Sequence, residues 1–357
     1  MAVQQVQQQV RRVELAAGDV RLSGLLALPP GPDVTPRAVV VALHGSGMAA
    51  GYFHGQAEPS VSLLSLAARA GYAALALDRP GYGVSARLLP HGLGVAEQAR
   101  CVGAALRTYA AERETGAGFL LVGHSMGGKV ALSTAAAWTE STESTDSTES
   151  TESTVSAFST VSTVSTESAV SAVSTVSAVS AVSSVSAVSS VSAVSSVSAV
   201  SAVSVGEERL LGVDVSGVGA RWAVPVEQLA ALGRRPDPRL HWGPLTLYPP
   251  DTFRLARGFV TPVPRREAEE IPDWPGRYAE VAGRIRVPVR FTFAEYERLW
   301  AWDPPALREL TSALTAPLVR VDHEPGAGHN ISLGRTARRH HLRLLDFLEE
   351  CRARAEA

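Results

Sequence analysis

Leu120-Leu121-Val122-Gly123-His124-Ser125-Met126-Gly127-Gly128-Lys129-Val130 is the stretch that decides the fold. It opens as an apolar strand pattern, and an alanine-rich helical pattern follows through Trp138. Strand, sharp turn and helix therefore meet with a serine at the apex. So tight a turn leaves no room for bulky residues two positions either side of Ser125, which accounts for Gly123 and Gly127. The geometry lifts the hydroxyl clear of the sheet. It also aims the first amides of the helix, with its N-terminal dipole, at whatever the serine attacks. Gly123 to Lys129 fits the G-x-x-x-x-G-K of phosphate-cradling loops as well, but that motif needs Ser or Thr next to hold magnesium, and Val130 stands there.

Upstream, Val10–Leu15 and Val20–Leu28 alternate apolar and polar residues around Ala17-Gly18-Asp19, the pattern of a β-hairpin. Pro29–Pro36 is a proline-rich loop. Ala38–Leu43 and Tyr72–Leu77 are apolar without alternation, as in strands buried on both faces of a parallel sheet. The first ends in His44-Gly45-Ser46-Gly47 and the second in Asp78-Arg79-Pro80-Gly81-Tyr82-Gly83. Ser62–Ala70 and Gly94–Ala111 have helical periodicity, and Phe119–Val122 is the strand feeding the turn. Strands alternating with helices over this length predict right-handed crossovers and a doubly wound, mostly parallel α/β sheet.

Downstream the composition breaks. From Thr139 to Val205 the chain is almost all Ser, Thr, Val, Ala and Glu in triplets. A period of three matches neither helix nor strand, and there is little to bury against the entropy of ordering. The expectation is a disordered insertion without catalytic role; a stalk, an interaction segment and a regular solenoid are the alternatives. The strand pattern resumes at Leu210–Val215. Gly219–Arg286 then carries Trp222, Trp242, Trp274, Tyr248, Tyr278, Phe253 and Phe259 among prolines and arginines, with little strand pattern. Val287–Phe293 is the next strand, Pro304–Thr315 a helix and Leu318–Val321 the last strand. Gly326–Asn330 reads as a loop, and Arg335–Arg352 as a closing helix with Leu342, Leu345, Phe347 and Leu348 inward.

With 357 residues, 45% of them hydrophobic, and a formal charge of -2, the chain forms a core and offers no charge surplus for nucleic acid or an anionic membrane. Two distant cysteines, Cys101 and Cys351, make neither a disulfide framework nor a metal site, so a cytoplasmic location is expected. The glutamine-rich Met1–Val10 has no secretory pattern, and no apolar run approaches the roughly 20 residues that span a bilayer.

Taken in order, the strand ending in the His44-Gly45 loop, Asp78–Gly83, the Gly-His-Ser-Met-Gly turn, the acid loop from Ala294 and the Gly-rich loop around His329 resemble the α/β-hydrolase family, the turn being its nucleophile elbow. The resemblance spans about residues 20 to 350. It implies a hydrolase domain of 10–138 and 206–350, with 219–286 as the lid and 139–205 as an insertion. It also implies a base and an orienting acid, in the order Ser, acid, His, at the ends of successive strands. His329 then matches the base, and His323, in a strand end, is structural. Where the family usually shows Gly-x-x-Asp, this chain has Ala294-Glu295-Tyr296-Glu297, which puts Glu297 on the acid position as a departure; Glu295 and Asp214 are rivals. The oxyanion hole falls to the amides of Met126 and Ser46. His124 is expected to pack, and Asp78–Gly83 to be structural.

The resulting expectation is a serine hydrolase cleaving a carboxylic ester or thioester of a small to medium organic molecule through an acyl-enzyme, without cofactor or metal. The aromatic, arginine-bearing lid points to a partly apolar substrate with an anionic group. The alternatives are an acyltransferase using the same residues, a non-catalytic ligand-binding protein of this fold, and a scaffold whose function lies in the repeat.

Overall fold

A computed structural model of the chain describes residues 10–31, 34–146, 208–225, 227–229 and 237–357. Most of the 139–205 tract lies outside the described residues, as do residues 1–9. Eight strands form one sheet: β1 Val10–Ala17, β2 Val20–Ala27, β3 Val39–Leu43, β4 Ala73–Leu77, β5 Phe119–His124, β6 Leu210–Ser216, β7 Val289–Tyr296 and β8 Val319–Gly328. Their order is β1-β2-β4-β3-β5-β6-β7-β8, with β1 and β2 antiparallel and every pair from β4 to β8 parallel.

Every residue of β3, β4, β5 and β6 is buried, as unalternated apolar runs require of a sheet covered on both faces. The alternation reappears between the two cores. Val39, Val41, Phe119, Leu121, Val213 and Val215 pack on α2 (Val95–Glu112) and α3 (Met126–Asp146). Val40, Ala42, Leu120, Val122 and Leu211 pack on α1 (Leu63–Arg69) and α9 (Ala337–Glu356). The period of two sorts the side chains of β3 and β5 to opposite layers, while in β6 a register shift against β5 skips Leu211 and puts it on the layer opposite Val213.

Elements between β6 and β7 are short: α4 Pro238–His241, α5 Thr252–Ala256, α6 Arg265–Glu270 and α7 Trp274–Ala282. Prolines, such as Pro264 before α6 and Pro275 in the first turn of α7, start and interrupt these helices. The helix α8, Pro304–Ser312, begins at Asp303, whose side chain accepts from the Ala306 amide.

Several details differ from expectation. The helix after the serine runs past Trp138 to Asp146, and Trp138 Nε1 donates to the Glu208 carbonyl at 3.1 Å. The last strand extends to Gly328, so His323 lies within it. Leu342 is 42% exposed rather than inward, while Leu344, Leu345, Phe347 and Leu348 are buried. Among the described residues, no helix is long and apolar enough to cross a membrane.

The chain leaves β3 toward β4 on one side and returns through α2 to β5 on the other. Between the carboxyl ends of β3 and β5 the winding reverses, and a crevice opens at such a switch point. The His44–Gly47 loop leaves one end and Ser125 the other.

Candidate active site

Ser125 has φ 52°, and only Asp251 shares a positive φ among the described non-glycine residues. Such a conformation costs on the order of 1–3 kcal/mol and persists only where its surroundings impose it. Here the Ser125 amide donates to the Ser216 carbonyl at 2.8 Å, and its carbonyl accepts from the Gly128 and Lys129 amides at 2.9 and 3.2 Å. A Cβ on Gly127 would overlap the Leu43 carbonyl oxygen, and one on Gly123 would overlap the Gly128 Cα. Only glycine fits either position.

β7 and β8 deliver the next two groups. Glu297 follows β7 directly and His329 follows β8 directly, not within a longer loop. Glu297 Oε2 lies 2.7 Å from His329 Nδ1, both side chains being buried. The other carboxylate oxygen, Oε1, accepts from the Leu299 amide at 2.9 Å, which fixes its orientation. A carboxylate acceptor assigns the proton to Nδ1 and leaves Nε2 as an acceptor. Neither rival carboxylate has His329 as its partner: Glu295 accepts from the Gly326 amide at 2.7 Å, and Asp214 is held inside the sheet by Arg290 at 2.5 Å. His323 stacks on Trp302, with centroids 5.1 Å apart.

The His44–Gly47 loop is braced from behind. Arg79, fully buried, donates through Nε to the His44 carbonyl (2.7 Å) and through Nη2 to the Gly45 carbonyl (3.2 Å). Its Nη1 reaches Glu267 Oε2 at 2.7 Å, and the Tyr82 hydroxyl donates to Glu267 Oε1 at 2.7 Å. The Gly47 amide donates in turn to the Tyr82 hydroxyl at 3.1 Å. Burial raises the Glu267 pKa, but the Arg79 charge and hydrogen bonds from Arg79, Tyr82 and Ser46 outweigh it and hold the carboxyl well below its usual range. Burial first, and Arg79 second, lower the His44 pKa to about 3, so the ring is neutral at pH 7. Its Nε2 accepts from the Arg79 amide at 3.1 Å.

His124 does pack. It stacks on Tyr52 at 4.8 Å and lies 4.8 Å from the His329 ring. Burial, then the neighbouring His329, push its pKa well below the usual value.

A cavity of about 560 Å³ collects Ser46, Ser125, Met126 and His329 with Met48, Trp222, Trp242, Val260, Val263, Leu299 and Trp300. Among the described residues, no arginine of the 219–286 segment lines it. Arg254, Arg265 and Arg277 pair at the surface with Asp251, Glu269 and Glu270. Among the described residues, the lysine or arginine that lines the cavity is Lys129, on the helix that follows Ser125. Sequence reading missed Lys129, as it missed Arg79, Tyr82 and Glu267. The one available signal is Asp78–Gly83, expected to be structural, and bracing the loop is the structural part that Arg79 and Tyr82 play.

The family model described as the Alpha/beta hydrolase family matches residues 40–338. No curated protein matches this chain. Among solved structures, E-2-(acetamidomethylene)succinate hydrolase is similar at TM-score 0.58 and 15% identity, covering 95% of this chain and 99% of that one. A thermophilic esterase from Thermogutta terrifontis is similar at TM-score 0.57 and 14% identity, over 96% of this chain and 99% of that one. A soluble variant of monoglyceride lipase from Saccharomyces cerevisiae is similar at 0.55 and 14%, over 95% and 94%. At such identities structural likeness speaks for the fold alone, and the family match covers the sheet from β3 to the start of α9; the chain belongs to the α/β-hydrolase family.

Proposed function

We propose that this protein is a serine hydrolase that cleaves a carboxylic ester or thioester of a small to medium organic substrate through an acyl-enzyme. The observation that carries the reading is the hydrogen bond between Glu297 and His329, whose ring lines the same cavity as Ser125. Ser125 Oγ attacks the carbonyl carbon while His329 Nε2 takes the hydroxyl proton. Glu297 keeps the imidazole in the tautomer this requires and stabilises the imidazolium that forms. His329 then protonates the departing alcohol or thiol, and water deprotonated by the same ring releases the acid and restores Ser125.

Two amides receive the negative charge that develops on the carbonyl oxygen. Met126 opens α3, so its amide has no acceptor within the helix. For Ser46 the support comes from the brace: the Gly45 carbonyl faces Arg79, and in a trans peptide the following N–H points the opposite way. Gly45 also lies against the nucleophile, where an added Cβ would come within 3.3 Å of the Ser125 Cβ.

Intact-mass analysis after exposure to a fluorophosphonate tests the reading. A single adduct is expected on the wild type and none on Ser125→Ala, whose ester turnover falls by about 10⁴-fold or more with the fold retained. No adduct on a folded wild type would leave the ligand-binding reading in its place.

A further inference from the structure

Lys129 lies four residues beyond Ser125, one helical turn and about 6 Å along the axis of α3. The residue is 3% exposed. Its ammonium sits under three tryptophan rings, 4.9 Å from the centroid of Trp222, 5.4 Å from Trp300 and 5.9 Å from Trp274. One of its three N–H groups donates to the Ile271 carbonyl at 3.1 Å. Among the described residues, no carboxylate forms an ion pair with it. Glu267 is taken by Arg79, and Glu270 accepts from the Val95 amide and pairs with Arg277.

A buried cation is normally paired, and this one instead borders the cavity that holds Ser125. Among the described residues, no aspartate or glutamate lines that cavity. Its walls are otherwise largely apolar, with Leu299, Val263 and Ile271 beside the tryptophans. Burial is the main influence on the ammonium and brings its pKa down to about 7, against the pull of Glu267, Asp273 and Glu270 and with a small push from Arg79. A bound anion reverses that effect. The desolvation of the cation is already complete in the folded chain, so a carboxylate arriving there gains a charge-assisted hydrogen bond without that cost being incurred again.

We infer that Lys129 and the tryptophans around it form a carboxylate subsite, so that the substrate is an ester or thioester carrying a carboxylate separated from the scissile carbonyl by a short apolar spacer. This rests on the hydrolase reading above and narrows it. Trp222 and Trp300, stacked 3.6 Å apart, orient the ammonium and exclude water. Lys129 binds and orients the substrate, and no proton moves through it.

The test compares kcat/KM within two matched pairs. One pair is mono-4-nitrophenyl adipate and its methyl ester, with the carboxylate on the acyl side. The other is 4-acetoxybenzoate and its methyl ester, with the carboxylate on the leaving group. The wild type is expected to favour the anionic member of at least one pair by about 10- to 100-fold, the range of a hydrogen bond to a charged group. Lys129→Met should reduce that ratio by a similar factor, mainly through KM. Equal treatment of both members by the wild type, or a preference for the neutral ones, overturns the subsite whether or not the variant folds. An equal loss on both members in Lys129→Met overturns it too. The fluorophosphonate adduct separates the two levels: an adduct with no anionic preference removes the subsite alone, whereas no adduct removes the hydrolase reading along with it.

Discussion

Glu295 and Glu297 leave the same strand two residues apart, and on a regular strand both side chains would face the same way. Periodicity therefore could not separate them. The pairing of β7 with β8 shifts register between Ala294 and Tyr296, and this irregularity re-aims the side chains, sending Glu295 to the Gly326 amide and Glu297 to His329. Glu297→Gln is expected to lower kcat by about 10²- to 10⁴-fold through loss of the tautomer control, while Glu295→Gln stays within a few-fold. Steady-state kinetics on one activated ester would decide it, and the reverse ranking would move the acid to Glu295. His329 was readable because glycines flank it just after the last strand. Lys129 was not, because what makes it unusual is the convergence of Trp222, Trp274 and Trp300 from distant parts of the chain.

At the scale of elements, strands covered on both faces were the most legible, since an apolar run without alternation has few other uses. Helix faces were less so: Leu342 lies about 200° around α9 from Leu344 and points to solvent. Least legible was how α6 reaches behind the β3 loop to hold Arg79. That ion pair is buried on both sides and anchors two backbone carbonyls of the loop, so Glu267→Gln should destabilise the protein by about 3 kcal/mol and loosen the Ser46 amide at once. Thermal denaturation together with kcat would register both. The pH sign follows from the lowered Glu267 pKa. The unfolded carboxyl takes up its proton first on acidification, so the stabilisation is complete above about pH 4.5 and drains away as pH falls further. The variant should therefore show a shallower acid limb, and an unchanged limb would refute the role of the pair.

For the molecule as a whole, the order of strands and helices on either side of 139–205 allowed one domain to be read across the break. The tract itself carried no pattern of burial, and most of it lies outside the described residues. Where the chain departs and returns is better defined, because the Trp138 indole is hydrogen-bonded to the Glu208 carbonyl. Replacing 139–205 with a short Gly-Ser turn should therefore leave the melting temperature within about 3 °C and ester turnover within about twofold. A collapse of either would give the tract a part in the fold or the chemistry. That same indole contact has an evolutionary reading. It acts as a clasp between the departing helix and the returning chain, so triplets added or lost between them leave both ends in place. Copy number can then drift by replication slippage while selection on the active site takes no notice of it.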